Sequence, residues 1–206
     1  MQTNTYKNSK FAATKFILMR KLSSAFIVLL ISVLSSNTIT AQIRKGEFIN
    51  ASVGIGFCSP DDETEIIGNG FYAQGEYVLN LNNWFGVRPY AGIVIASGSS
   101  NEEALKDYYI KANAFLLGAK VRLSAPIPYV APFFEIGIGM SAGSFETFTP
   151  LTDVKKKGIL YHTPVAFGFA VGRKHNIDIK FTYYFHPSAE QFSGAGAVGF
   201  YFPINK

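Results

Sequence analysis

The sequence predicts an all-β fold: an eight-stranded antiparallel up-and-down β-barrel that spans a membrane, preceded by a cleavable signal peptide. Apolar residues alternate with small or polar residues in eight segments of residues 42–206, and a period of two is typical of β-strands. Short and long connections alternate between these segments, as in barrels with tight turns at one end and loops at the other. The apolar row holds more large side chains than the interior of an eight-stranded barrel can contain. We therefore expect the apolar row to face lipid.

Composition and charge narrow the class of protein. The chain has 206 residues, of which 48% are hydrophobic, and this content favours a folded domain over a disordered segment. Its single cysteine, Cys58, excludes an intramolecular disulfide framework and a multi-cysteine metal cluster. The net charge of +5 originates in residues 1–41, which contain five lysine and arginine residues and no Asp or Glu. Because the remainder is formally neutral, the charge does not indicate a nucleic-acid partner.

Residues 1–41 have the pattern of a secretory signal peptide. Two cations follow Met19, residues 25–34 are mostly apolar, and a polar stretch ends at Ala41, just before Gln42. The apolar segment is too short to cross a bilayer as a helix. We expect cleavage between Ala41 and Gln42, which leaves the rest of the chain as the exported barrel domain. Translation from Met19 would give a leader of more usual length.

The first five predicted strands follow one another with the same alternation. They lie at about 47–57, 69–80, 84–96, 108–123 and 130–142. One face carries large apolar residues: Ile49, Val53, Ile55, Phe71, Tyr77, Phe85, Val87, Ile93, Phe115, Leu117, Phe134, Ile136 and Ile138. The opposite face is rich in glycine, serine and alanine, and such small residues suit a crowded lumen. Segments of about ten residues also match the length of a membrane-crossing strand.

Three further segments complete the predicted barrel. Their apolar faces carry Val165, Phe167 and Phe169, then Ile177, Ile179 and Phe181, and finally Val198, Phe200 and Phe202. The connections predicted to be short lie at about 81–83, 124–128 and 172–175. Those predicted to be longer lie at about 58–68, 97–107, 143–157 and 187–191. The even number of strands places both ends of the barrel domain on the side of the short turns.

Charged residues within the strands fall on the glycine-rich face, which we expect to line the lumen. They are Glu76, Arg88, Lys120, Arg122, Glu135, Asp178 and Lys180. A three-residue turn at 81–83 would place Glu76 opposite Arg88. A turn centred on residues 127–128 would place Lys120 opposite Glu135. Because an unpaired buried charge is costly, we expect these two pairs to be structural ion pairs.

Four segments carry a resemblance to a known family. They are FINASVGIGF (48–57), WFGVRPYAGIVIA (84–96), APFFEIGIGMSAG (131–143) and GAVGFYFP (196–203). These segments resemble the small eight-stranded outer-membrane β-barrel proteins of the OmpA/OmpW-like type from Gram-negative bacteria. The resemblance covers essentially all of residues 42–206. It implies a monomer in the cell outer membrane, in contact with outer-membrane lipid and lipopolysaccharide. It also implies insertion by the barrel-assembly machinery, which reads aromatic residues such as Phe200 and Phe202 in the last strand.

One fragment contains residue types that are used in acyl transfer. His186 and Ser188 are separated by one proline, and Glu190 follows two residues later. A serine beside a histidine base that a carboxylate orients can act as a nucleophile. The fragment resembles the His-x-Ser pairing of the outer-membrane lipid A deacylases, although Ala189 stands where that family has Asn. The favoured interpretation is a hairpin end in which neither residue is catalytic.

No cofactor or metal site is predicted, because His162, His175 and His186 are isolated in sequence and lack the spacing of metal ligands. The favoured function is non-enzymatic: a barrel whose lumen is filled by side chains and which serves as a structural, anchoring or surface-display protein. Two alternatives remain open. One is a lipid A deacylase-like hydrolase that uses His186 and Ser188, and the other is a narrow channel for small or amphipathic solutes.

Overall fold

The chain folds into a closed barrel of eight antiparallel strands. The computed structural model describes residues 45–62, 66–100 and 107–204. The strands are β1 (Gly46–Pro60), β2 (Gly68–Asn80), β3 (Phe85–Ser99), β4 (Tyr109–Ser124), β5 (Val130–Phe148), β6 (Asp153–Val171), β7 (Ile177–His186) and β8 (Gln191–Pro203). The predicted fold class is therefore confirmed. The predicted signal peptide, with its cleavage point between Ala41 and Gln42, lies outside the described residues.

The barrel closes through its first strand. Val53 of β1 is paired with Ala73 of β2 on one side and with Val198 of β8 on the other. Because each strand has two neighbours, no strand edge is left open, and closure of this kind is what allows a sheet to sit in an environment without water. In the described part of the chain, no helix has the length and apolar character needed to cross a membrane.

The two faces of the sheet differ as the alternation predicts. Ile55 is 57% exposed and Ile138 is 63% exposed on the outside. Asn50 and Glu135, on the inward row, are fully buried. The large apolar side chains thus form an outer belt, and the polar and charged side chains of the strand interiors lie in the lumen.

The connection predicted at 143–157 is not a loop. β5 continues to Phe148 and β6 begins at Asp153, so the two strands form a long hairpin with a turn at 149–152. Ser144 pairs with Lys157, and Glu146 pairs with Lys155. Beyond the apolar belt both faces of a hairpin meet water, so the apolar-out pattern that marks the other strands is lost there. The connection between β7 and β8 is also short, at 187–190.

Both hairpin registers that the sequence predicted are wrong by two residues. Glu76 pairs with Tyr90 rather than with Arg88, and Glu135 pairs with Arg122 rather than with Lys120. The connecting segments are longer than assumed, because Asn80 pairs with Gly86 and five residues lie between them. A slip of two residues keeps every side chain on its own face of the sheet. The lumen-facing set was therefore predicted correctly even though the directly opposite residues in the sheet were not.

One end of the barrel carries the connections 61–67, 100–108, 149–152 and 187–190, and is here called the loop end. The opposite end, with the connections 81–84, 125–129 and 172–176, is called the turn end. A cluster of buried apolar side chains packs inside the loop half of the barrel: Cys58, Val94, Ile110, Leu116 and Phe145 are among its members. These residues occupy inward positions, so the inner row is more apolar at this end than the sequence pattern indicated.

Glycine on the inward row lets neighbouring strands and lumen side chains approach closely. A Cβ atom on Gly137 would lie 2.2 Å from the carbonyl oxygen of Ala119 and 2.8 Å from Cα of Lys120. A Cβ atom on Gly75 would meet nothing nearer than the carbonyl oxygen of Ala91, at 3.9 Å. Gly75 lies on the outward row of β2, where space is open, and the two glycines therefore tolerate a side chain very differently.

We therefore expect Gly137→Ala to destabilise the barrel and Gly75→Ala to leave it nearly unchanged, because only the first methyl group collides with backbone atoms that cannot move aside. The fraction of protein that migrates as the folded form on gels, measured after incubation at increasing temperature, checks this. Equal thermal midpoints for the two variants would contradict the close approach described at Gly137.

Candidate functional site in the barrel lumen

A network of ion pairs crosses the lumen near the turn end, and Glu76 on β2 is one of its centres. Lys120 Nζ donates to Glu76 Oε1 at 2.9 Å, and Arg88 Nη1 lies 3.3 Å from Glu76 Oε2. Lys180 Nζ on β7 also donates to Glu76 Oε1. One carboxylate thus holds three cations that come from three other strands, β3, β4 and β7.

Glu135 on β5 is the second centre. Arg122 Nε donates to Glu135 Oε1 at 2.6 Å, and Lys120 Nζ lies 2.8 Å from Glu135 Oε2. Arg122 continues the network to β7, where its Nη2 donates to Asp178 Oδ2 at 2.6 Å. The hydroxyl of Tyr201 on β8 donates to the same carboxylate oxygen at 2.7 Å and accepts from Arg88 and Arg122.

Every charged member of this network is withdrawn from solvent, with side-chain exposures between 0% and 3% among the ion-paired groups. Removing charges from water is costly, and the cost is offset only when each charge has close partners and additional hydrogen bonds. The multiple short contacts of Glu76 and Arg122 meet this condition. The network therefore cross-links six of the eight strands through the lumen.

The sequence placed the network residues on the correct face but assigned too few partners. Arg88 contacts Glu76, and Lys120 contacts Glu135, although neither pair is directly opposite in the sheet. Long side chains reach diagonal neighbours and cross the lumen, whereas the length of a hairpin turn identifies only the residues that are directly opposite each other. The predicted pairs omit four members of the network: Arg122, Asp178, Lys180 and Tyr201. Their inward position in the strand pattern was the only sequence feature that indicated a place in the network.

A layer of hydrogen-bonded tyrosines lies above the ion network, on the side of the loop end. Gln74 Oε1 accepts from the hydroxyl of Tyr184 at 2.6 Å and from that of Tyr72 at 2.9 Å. Gln74 Nε2 in turn donates to Glu76 Oε1 at 2.7 Å. The amide thereby connects the neutral layer to the charged one, and both tyrosine side chains are fully buried.

Two histidines and a serine form the next cluster. The hydroxyl of Ser141 lies 2.6 Å from His162 Nδ1 and 2.8 Å from His186 Nε2. The hydroxyl of Tyr90 is 2.5 Å from His162 Nε2. All of these groups are buried in the lumen, so the polar chain runs from strand to strand inside the barrel and its members satisfy one another's hydrogen bonds.

The structure separates the residues of the predicted acyl-transfer fragment. His186 points into the lumen at the end of β7, where its hydrogen-bonding serine partners are Ser141 and Ser193. Ser188 and Glu190 lie in the exposed turn between β7 and β8. A serine nucleophile and its base must lie within hydrogen-bonding reach of each other. Among the hydrogen bonds of the described residues, none joins His186 to Ser188.

The described residues contain no group of three or more His, Cys, Asp or Glu side chains placed to hold a metal ion. His162 and His186 do approach each other, with ring centroids 5.4 Å apart. The hydroxyl of Ser141 lies between them and occupies one nitrogen of each ring.

Outside the apolar belt, the β5–β6 hairpin carries an ion pair between facing residues. Lys155 Nζ lies 2.9 Å from Glu146 Oε1. The hydrogen bond from Lys155, together with its positive charge, lowers the pKa of the Glu146 carboxyl, and the same hydrogen bond raises the pKa of Lys155. Because Lys155 is more than half exposed, water and salt screen the pair and its contribution to stability is small.

A closed eight-stranded barrel with an apolar outer belt and a lumen filled by side chains is the fold of the small outer-membrane β-barrel proteins. No known family matches the sequence, and no curated protein is significantly similar to it. Among solved structures, the fold is similar to that of Neisserial surface protein A, with a TM-score of 0.52 and 12% identity over 78% of this chain and 98% of that one. It is also similar to the outer membrane protein OprG from Pseudomonas aeruginosa, with a TM-score of 0.51 and 10% identity over 80% of this chain and 99% of that one.

We expect Glu76→Gln to destabilise the folded barrel by about 3–5 kcal/mol, because it leaves buried cations without a counter-charge. Glu146→Gln is the matched control, since it removes the same charge from an exposed pair, and we expect little change. Urea unfolding in detergent micelles, followed by tryptophan fluorescence of Trp84, measures both variants. Equal stability of the two variants would show that the lumenal ion pairs contribute no more than surface ones.

Proposed function

We propose that the protein is a non-enzymatic outer-membrane barrel that holds its loop-end hairpins at the cell surface and is closed to solute flow. The filled lumen is the observation that carries this proposal. Charged, polar and apolar layers succeed one another from the turn end to the loop end, and the largest side chains in them are fully buried. An eight-stranded barrel is just wide enough to be filled in this way.

The loop end supports a role in surface display. The β5–β6 hairpin extends past the apolar belt by continuous strand pairing up to Phe148 and Asp153. Its turn is fastened to the first connection by a 2.5 Å hydrogen bond from Thr149 Oγ1 to Asp62 Oδ2. The backbone amide of Asp61 also donates to the carbonyl oxygen of Glu190, at 3.1 Å, and so joins the first and last loop-end connections. The described parts of three loop-end connections thus brace one another, which lowers the cost of ordering them when a partner binds.

The exposed lysines 155–157 on β6 support contact with lipopolysaccharide. They lie just beyond Ile159 and Tyr161, which are exposed on the apolar belt. Phosphate groups at the membrane surface attract lysines in such a position. Insertion by the barrel-assembly machinery is part of the same proposal, with Phe200 and Phe202 exposed on the last strand. We further propose that the barrel acts as a monomer.

The hydrolase alternative has less support than it had from the sequence. His186 is buried in the lumen, whereas Ser188 is exposed in the turn that follows β7. The serines that do contact His186 are Ser141 and Ser193, which are both buried, and the hydroxyl of Ser141 is hydrogen-bonded to two imidazoles. The hydroxyl of Ser141 therefore faces the packed lumen rather than the membrane.

Surface labelling of intact cells tests location and orientation together. We expect Leu151→Cys, in the exposed turn of the β5–β6 hairpin, to react with a membrane-impermeant maleimide. Lys174→Cys, in an exposed turn at the other end, should react only after the cells are opened. Cys58 is buried, so the native protein supplies a low background. Labelling of Lys174→Cys but not of Leu151→Cys in intact cells would indicate the opposite orientation. Labelling of neither variant would contradict surface display.

Conductance across planar lipid bilayers tests closure of the lumen. We expect the purified protein to give no current steps, because buried side chains of the ion network and the apolar cluster fill the lumen. A general porin added to the same bilayer serves as the positive control. Reproducible current steps from the native protein would favour the narrow-channel alternative.

A further inference from the structure

The buried ion network contains more positive than negative groups. Among the described residues, its cations are Arg88, Lys120, Arg122 and Lys180, and its carboxylates are Glu76, Glu135 and Asp178. Four cations therefore face three carboxylates in a space from which water is largely excluded. A buried charge without a counter-charge is costly, and a bound ion of opposite sign removes that cost.

A cavity of about 210 Å³ lies directly beside this network at the turn end. Arg88, Arg122 and Tyr201 form its inner wall, and Lys174, His175 and Asn176 from the β6–β7 turn form its rim. Its described lining contains no Asp or Glu. The cavity therefore presents guanidinium, ammonium, amide and hydroxyl groups, which are the donors that recognise oxyanions.

Two polar groups beside the cavity lack partners within the described part of the chain. His175 is 95% buried, and its Nε2 lies 2.9 Å from the carbonyl oxygen of Ile127, which fixes the ring. Its Nδ1 has no hydrogen-bond partner. The Nε of Arg88 is likewise buried without a hydrogen bond, although Glu135 lies 3.6 Å away. Buried polar atoms are rarely left unsatisfied. Because Nε2 already donates to Ile127, Nδ1 of His175 can accept from a protonated oxygen such as the P–OH of phosphate, whereas Arg88 Nε is a donor.

We propose that this cavity binds one small oxyanion, of the size of inorganic phosphate, as the counter-charge of the lumenal network. Lys174 and Asn176 admit the anion from the water at the turn end, and Arg88 provides the charge at the inner wall. The site is independent of the display function, since it lies at the opposite end of the barrel.

Calorimetric titration of the full barrel with inorganic phosphate tests this proposal. The protein is held in a maltoside detergent free of phospholipid, and chloride is used to keep the ionic strength constant. We expect saturable binding of one phosphate per barrel. Absence of saturable phosphate binding overturns the proposal. Saturable binding of added phosphatidylglycerol in a protein that does not bind phosphate overturns it as well, because the occupant would then be a lipid head group.

Three variants connect the binding to the network. Lys174→Gln removes an exposed cation from the rim and should weaken phosphate binding about three- to fivefold. Lys45→Gln removes an exposed lysine that does not line the cavity and should leave binding unchanged. Lys180→Met equalises the buried charges without touching the cavity and should weaken binding about tenfold or more. Equal affinity in Lys174→Gln and Lys45→Gln overturns the site, and undiminished affinity in folded Lys180→Met overturns its role as a counter-charge.

Discussion

The need to pair charges inside the barrel is the constraint on which the rest of the lumen depends. Glu76 contacts cations from three strands and Glu135 contacts cations from two, and Arg122 reaches from Glu135 to Asp178. Once these groups are out of water, their positions are tightly specified, because the attraction within an ion pair at the wrong distance is smaller than the cost of removing its charges from water. The layers above follow from this arrangement: Gln74 satisfies Glu76 from one side, and the tyrosine pair then satisfies Gln74.

The lumen changes character along the barrel axis, from charged at the turn end through hydroxyl and imidazole groups to an apolar cluster at the loop end. At each boundary between layers lies a side chain that contacts both of them. Tyr90 places its ring within 5.3 Å of Lys120 Nζ, measured to the ring centroid, and its hydroxyl on His162. Phe145 of the apolar cluster packs on the ring of His186, with centroids 4.6 Å apart. Such side chains let neighbouring layers meet without an unsatisfied polar group.

The fold could be predicted almost completely from the sequence, because strand alternation in a barrel is enforced by lipid on one side and a narrow lumen on the other. Pairing within the lumen could not. Glu76 meets Lys180 across the barrel, more than a hundred positions away in sequence, and no local rule connects the two. The β5–β6 hairpin was mistaken for a loop because residues such as Glu146 and Lys155 stand where water, rather than lipid, meets the outer face. His186 was assigned to Ser188 by proximity in sequence, whereas β5 supplies Ser141 from across the lumen.

The distribution of the network among the strands has a consequence for how the barrel is made. Asp178 and Lys180 on β7 and Tyr201 on β8 find their partners on β2, β3 and β4, strands that come much earlier in the chain. In a sheet still open between β1 and β8, these groups are far from their partners, although Arg122 and Glu135 already face each other on neighbouring strands. The electrostatic stabilisation that joins β7 and β8 to β2, β3 and β4 therefore becomes available only at ring closure. Closure should accordingly be cooperative, because these contacts across the lumen form together.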